Sequence, residues 1–188
     1  MVKIHAGILK GKKIFFPKGK LRVSQDKVRK AVFDMVGEEI KDKTVLDLFA
    51  GSGSFGITAL SLGAKEVHFV EKNKVVFKYL KRNINQLENC YSYLMDVFIF
   101  LKKIKKKFDI IFLDAPYFKN YYERTLQLIK ENNLLAKNGI IIVESHKNFS
   151  FSNLEFNVLK EKIYGDTKIT ILGGENERDK KNNLSGKF

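Results

Sequence analysis

Short apolar runs with strand character recur along the middle of the chain, at 44–49, 66–71, 91–95, 108–113 and 140–144. Between them lie segments with apolar residues at helical spacing, at 54–62, 74–87, 97–104 and 121–129. Runs apolar on both faces, separated by amphipathic helices, predict βαβ units and a largely parallel sheet covered on both sides. After residue 144 the rhythm changes. Segments 157–164 and 168–172 are joined by Gly165-Asp166-Thr167, which predicts an antiparallel pair at the sheet edge and brings the strand count to seven. Ahead of the sheet, 2–16 carries Gly7 and Gly11 between apolar residues and predicts a small basic hairpin. Residues 26–40 predict a helix with Val28, Val32, Phe33, Val36 and Ile40 on one side. The polar tail from 173 to 188 is expected to be mobile.

With 188 residues, 44% of them hydrophobic, the chain can bury one substantial core, and a single domain is expected: an N-terminal extension over 1–25, a core over 26–172 and the tail. The formal net charge of +14 is unevenly placed. Residues 1–30 hold ten basic side chains against the single acid Asp26, a local +9 that leaves +5 for the rest. Abundant lysine, asparagine and isoleucine are also what an A·T-rich coding genome produces, so the placement carries more weight than the total. A concentrated basic arm points to a polyanionic partner, with affinity from phosphate neutralisation and counterion release. An anionic membrane surface fits less well, because the arm lacks a long apolar face. One cysteine, Cys90, excludes an internal disulfide framework and multi-cysteine metal sites. His5, His68 and His146 fall in separate elements without metal-ligand spacing, so no metal is expected. No signal peptide opens the chain and no apolar run reaches the ~18–20 residues needed to span a bilayer, so a cytoplasmic protein is expected.

Two segments carry candidate chemistry. In the first, Val45-Leu46-Asp47-Leu48-Phe49 runs into the glycine-rich turn Ala50-Gly51-Ser52-Gly53 at the start of a helix, and Glu71 ends the next strand, placed to take ribose hydroxyls. Gly51-x-Gly53-x-x-Gly56 also satisfies the dinucleotide fingerprint, so a NAD-type dehydrogenase is an alternative. Asp47, however, would repel a pyrophosphate, whereas it suits a ligand bearing a sulfonium and an amino group, such as S-adenosylmethionine. In the second segment, Asp114-Ala115-Pro116-Tyr117 follows an apolar strand: a carboxylate to accept from an exocyclic amino group, a proline to stiffen the turn, and a ring on which a base can stack. Asp96 closes the strand between. Singly, each carboxylate is more readily a helix cap. Four at successive strand ends converge on one sheet edge, where ligands of doubly wound folds bind.

These residues resemble the successive motifs of class I S-adenosylmethionine-dependent amino-methyltransferases, in which the last motif is usually Asp-Pro-Pro-Tyr. His5-Ala6-Gly7, Lys10-Gly11-Lys12-Lys13, the stretch from Leu21 to Arg29 and Tyr164-Gly165-Asp166-Thr167 further resemble the RsmD family, over roughly residues 3–172. The resemblance implies a Rossmann-like class I methyltransferase fold and methylation of the N2 amino group of one guanine in 16S ribosomal RNA, within the small ribosomal subunit or its assembly intermediate. It implies S-adenosylmethionine held by Asp47, Phe49, Ala50, Gly51, Ser52, Gly53, Glu71, Lys72, Asp96 and Val97, and transfer at Asp114, Ala115, Pro116 and Tyr117. RNA phosphates would meet Lys10, Lys12, Lys13, Lys18, Lys20, Arg22 and Arg29. A monomer is the default. Ala115 departs from the family proline but keeps the carbonyl that would accept a substrate amino hydrogen, and Val23 replaces a proline usual after Arg22. The alternatives are an adenine-N6 or cytosine-N4 DNA methyltransferase, since the same tetrapeptide serves any exocyclic amino group, and an RNA-binding assembly factor that has lost catalysis.

Overall fold

The computed structural model describes residues 2–17, 23–116, 119–152 and 155–174. Two short strands, β1 (Val2–Lys3) and β2 (Lys13–Ile14), pair antiparallel as the expected hairpin, followed by helix α1 (Val23–Val36). The chain then alternates through β3 (Thr44–Leu48), α2 (Ser54–Ser61), β4 (Glu66–Glu71), α3 (Lys74–Ile84), β5 (Cys90–Leu94), α4 (Val97–Lys103), β6 (Phe108–Leu113), α5 (Lys119–Glu131) and β7 (Leu135–His146). β8 (Asn157–Tyr164) and β9 (Thr167–Gly173) complete the sheet, whose order is β5-β4-β3-β6-β7-β9-β8. Pairing is parallel from β5 to β7 and antiparallel from β7 to β8. The chain starts the sheet at β3, builds outward through β4 and β5, then returns to β6 on the other side. The crevice between β3 and β6 is therefore the switch point at which such sheets bind ligands.

Alternation along the strands divides the core into two layers. Val45, Val67, Phe69, Ile110, Phe112 and Ile142 face α1, α2 and α3, meeting Val28, Val32, Phe33, Ile57 and Leu80. Leu46, Leu48, Val70, Ile111, Leu113, Ile141 and Val143 face the other way, onto Phe100 and Leu101 of α4 and Leu126 and Ile129 of α5. Each fully buried aliphatic side chain contributes roughly 1.5–3 kcal/mol, so the central strands hold the layers in register. No helix among the described residues is long and apolar enough to cross a membrane.

The elements differ from expectation mainly at their ends. The α-helix expected over 26–40 starts at Val23 and stops at Val36; Gly37 takes φ +57° and Gly37–Ile40 continues as a 3-10 turn that buries Ile40. β7 begins at Leu135, well before residue 140. Leu135 pairs with Phe108 and Ile140 with Ile110, and the intervening residues bulge out around Asn138 at φ +61°. The polar Lys137-Asn138-Gly139 stretch lies in this strand interruption. The β8–β9 turn is the two residues Gly165 and Asp166, with Thr167 already paired to Tyr164. Of the tail, residues 175–188 lie outside the described set.

The packing of α2 on β4 depends on Gly56. A Cβ there would stand 2.2 Å from Phe69 Cε1 and 2.7 Å from Val67 Cγ1, and both neighbours are fully buried. Gly56→Ala gains up to ~1 kcal/mol of helix propensity but forces an overpacked core that costs about 1–3 kcal/mol. We expect a net loss of stability in urea unfolding; an equal or higher midpoint at unchanged slope would show that α2 moves freely on the sheet.

Candidate active site

The glycine-rich loop after β3 is held in shape by carboxylates. Asp47, 3% exposed, accepts the Gly56 N–H at 2.9 Å through Oδ2. This bond caps α2 from outside the helix, which its N-cap Gly53, lacking a side chain, cannot do. Burial pushes the Asp47 carboxyl well above the usual carboxylate range, the Gly56 bond draws it back down, and the nearby charges of Asp114 and Glu71 add to the rise. Phe49 leaves β3 in the left-handed region at φ +57°, a strained conformation that costs about 1–3 kcal/mol and is compensated by what surrounds it. Ala50 N–H donates to the Val70 carbonyl at 2.9 Å and Gly51 N–H to Glu71 Oε2 at 3.0 Å. The other Glu71 oxygen accepts from Asn73 N–H at 2.7 Å. Asp96 caps α4 by accepting from Phe98 N–H at 2.9 Å and stands 3.7 Å from Lys72 Nζ.

The strand ends open onto a crevice of about 1090 Å³. One wall is formed by Asp47, Phe49, Ala50, Gly51, Ser52, Glu71, Lys72 and Val97, and Asp114, Ala115 and Pro116 line the same space. Gly53 and Asp96, expected in the cofactor set, stand behind this lining. Gly53, at φ +84°, packs beneath the loop, where a Cβ would lie 2.6 Å from Leu80 Cδ1, and Asp96 gives one oxygen to the α4 cap while the other stands 3.7 Å from Lys72 Nζ. Tyr117 lies outside the described residues.

The opposite wall contains groups that sequence reasoning did not select. Glu144, near the end of β7, is 6% exposed and lines the crevice. Burial, and secondly the charge of Asp114, push its carboxyl up to about 9. Tyr122 of α5, 1% exposed, directs its hydroxyl at the carbonyls of Ala115 and Glu144, each at 3.0 Å, sharing one proton between two acceptors. The Ala115 carbonyl thus has a protein partner already, with a second lone pair left over. Phe16, Pro17 and the β8–β9 turn complete the rim. Only the turn had a sequence signal, in the Tyr164–Thr167 motif.

Asn83, 2% exposed on α3, fastens the arm to the loop. Its amide accepts from Phe15 N–H and donates to the carbonyls of Phe15 and Ser52, all at 2.9 Å. The Arg82 guanidinium lies 3.8 Å from the Phe15 ring centroid. Of the expected phosphate contacts, Lys10 and Lys13 are exposed and Lys12 half-buried; Lys18, Lys20 and Arg22 lie outside the described residues. Arg29 is a correction. It is 4% exposed, paired with Asp26 and donating to the Lys3 carbonyl at 2.9 Å, so it ties α1 to β1 and presents no free face to a phosphate. Cys90 is half-buried, and burial pushes its thiol up to about 11.

A parallel sheet with this order, an antiparallel edge pair and a glycine-loop crevice at the switch point define the Rossmann-like class I methyltransferase fold. The Escherichia coli yhhF structure superposes with a TM-score of 0.84 at 29% identity, covering 93% of this chain and 98% of that one. Residues 2–173 match the family described as "Conserved hypothetical protein 95", and the chain belongs to it. Among its relatives, "Ribosomal RNA small subunit methyltransferase D" of Haemophilus influenzae is 38% identical over 173 residues, 87% of this chain and 89% of that protein. The Escherichia coli K12 protein of the same name is 30% identical over 179 residues, 93% and 90% of the two chains.

The high position of Glu144 makes stability depend on pH. Between its ordinary value of 4.5 and about 9, the folded protein holds a proton that the unfolded chain has lost. Stability therefore falls as pH rises through that window, by at most ~1.4 kcal/mol per unit. Urea unfolding at pH 6 and pH 8.5 is expected to show a larger loss in the wild type than in Glu144→Gln. Parallel losses would mean that Glu144 is ionised in the folded protein.

Proposed function

We propose that this protein transfers a methyl group from S-adenosylmethionine to the N2 amino group of a guanine in the 16S ribosomal RNA of the small ribosomal subunit. The observation that carries the reading is the meeting, in one crevice, of the glycine-rich loop and Glu71 with Asp114 and Ala115. One side is built to hold a nucleoside bearing a cation, the other to hold an amino group. The names of the relatives support the substrate class, and the exposed lysines of the arm suit a polyanion.

The donor set fits S-adenosylmethionine. Asp47 is a buried carboxyl with no cation beside it among the described residues, in position to gain one from the amino acid end; Glu71 would take ribose hydroxyls, and Val97 offers an apolar edge to the adenine. When bound, the cofactor supplies an electrophilic methyl on a sulfonium centre. The remaining work falls to the chain. The guanine amino lone pair is delocalised into the ring, so Asp114 accepting one amino hydrogen would turn that lone pair toward the methyl and take the proton released on transfer. The free lone pair of the Ala115 carbonyl offers a second acceptor, and Pro116 limits movement of the turn. Much of the acceleration is then alignment. A base reaching this depth must leave any stack, so the target is flipped out or single-stranded.

The direct test is tritium transfer from labelled S-adenosylmethionine to small-subunit particles lacking the modification, with nucleoside analysis. Label in N2-methylguanosine supports the reading, and label in another nucleoside overturns it. Asp114→Ala is expected to lower turnover by at least ~10²–10⁴-fold while cofactor affinity, measured by calorimetry, stays close to wild type; wild-type turnover in that variant would remove Asp114 from the chemistry. Replacing Lys10, Lys12 and Lys13 by Gln is expected to reduce the log–log salt slope of RNA binding by about 2, at ~0.7 per phosphate contact. An unchanged slope would exclude the arm from the RNA interface.

A further inference from the structure

We infer that Glu144 reads the substrate base alongside Asp114, donating a hydrogen bond to the guanine O6 while Asp114 accepts from the amino group. The inference rests on the guanine-N2 reading above and adds a second recognition group on a different strand.

The two side chains are neighbours by construction. β6 and β7 pair in parallel with Leu113 opposite Val143, so Asp114 and Glu144 are the next residues on adjacent strands, whose spacing is ~4.8 Å. The Tyr122 hydroxyl, directed at the carbonyls of Ala115 and Glu144, clamps the two strand ends at that spacing. Both side chains line the crevice.

What sets Glu144 apart is that its carboxyl is unspent. Asp47, Glu71 and Asp96 each accept from a backbone N–H. The Glu144 carboxyl makes no hydrogen bond or ion pair among the described residues, and its oxygens are not sealed in the core: His68 Nε2 is the buried side-chain atom left without a partner there, so the Glu144 oxygens reach the crevice. A largely desolvated carboxyl that reaches a crevice takes its hydrogen-bond partner from whatever occupies it, water or ligand. In a crevice built for a base, the base is the natural partner.

Its protonation state decides which partner it wants. Burial and the charge of Asp114 keep Glu144 neutral at physiological pH, so it carries a proton to give. The pair then presents one donor and one acceptor side by side. A guanine presents the complement along one edge, with O6 as acceptor and the amino group as donor. Adenine carries an amino group in place of O6. A hydrogen bond to O6 draws electron density away from the ring, so Glu144 orients and selects the base without activating it.

The experiment uses small-subunit particles reconstituted with ligated 16S rRNA that carries, at the methylated position, either guanine or 2-aminopurine. The analogue keeps the amino group and lacks O6. On guanine particles, Glu144→Ala is expected to lower kcat/KM by roughly 10–100-fold, and Glu144→Gln, whose amide also donates, to restore most of that loss. On 2-aminopurine particles, the wild type and both variants are expected to converge to within about threefold. Because the analogue also lacks the N1 proton, the ratio of variant to wild type is read, not the absolute rate. A Glu144→Ala loss equal on both substrates, or absent on guanine, overturns the inference. Loss of S-adenosylmethionine affinity in Glu144→Ala matching its loss of turnover would do the same by revealing a purely structural role. Should the wild type yield no N2-methylguanosine on guanine particles, the guanine reading falls and takes this one with it. Product formation by the wild type without discrimination among the variants defeats this inference alone.

Discussion

Parallel strands can be joined only by crossovers, so β5, β4, β3, β6 and β7 all end on the same edge of the sheet. Asp47, Glu71, Asp96, Asp114 and Glu144 come from five separate stretches of chain, and this constraint gathers them. Five carboxyls on one edge would repel one another if all were ionised and unpaired. The structure relieves that in two ways. Burial raises the carboxyl of Asp47 and pushes that of Glu144 up to about 9, so that Glu144 carries no charge at neutral pH. Glu71 and Asp96 hold backbone N–H groups, and Asp96 has Lys72 at 3.7 Å. The resulting crevice keeps carboxyls for binding without collapsing under their charge.

Much of this was legible in the sequence, for identifiable reasons. The runs that form β3, β4, β6 and β7 are buried on both faces, so their hydrophobicity marked them as central strands; the run at 91–95 is the edge strand β5, with Tyr91 and Leu94 exposed. The loop after β3 was legible because Asp47, Gly51 and Gly53 are residue types that a strand rarely needs at its end. Glu144 was not, because a charged residue closing an apolar run reads as an ordinary strand terminus; its isolation is created by α5 and β9, which are distant in sequence. Asn83 reads as one polar position on an amphipathic helix, and its three hydrogen bonds depend on where Phe15 and Ser52 arrive. Arg29 misled for the opposite reason. Basic surroundings marked it as part of the arm, while Asp26 one turn earlier and the Lys3 carbonyl drew it inward.

Ala115 shows how a local change is read differently at two levels. In the chain it removes one of two prolines and frees a turn. In the fold, the carbonyl of that same residue is held by Tyr122, whose ring is buried among Leu126, Ile129 and Phe149. A pyrrolidine ring would restrain the turn through φ. The Tyr122 hydrogen bond is a different restraint, acting on a carbonyl that any residue at 115 would present, and it also fixes the end of β7.

The amide of Asn83 belongs at once to two segments with different duties: the loop that faces the nucleoside half of the crevice and the arm that carries the exposed lysines. Its two amide hydrogens are divided between them, one to each segment. Replacing the side chain by an apolar one would leave the Phe15 N–H and the carbonyls of Phe15 and Ser52 all without this partner at once. One amide on α3 therefore sets where the arm lies against the loop.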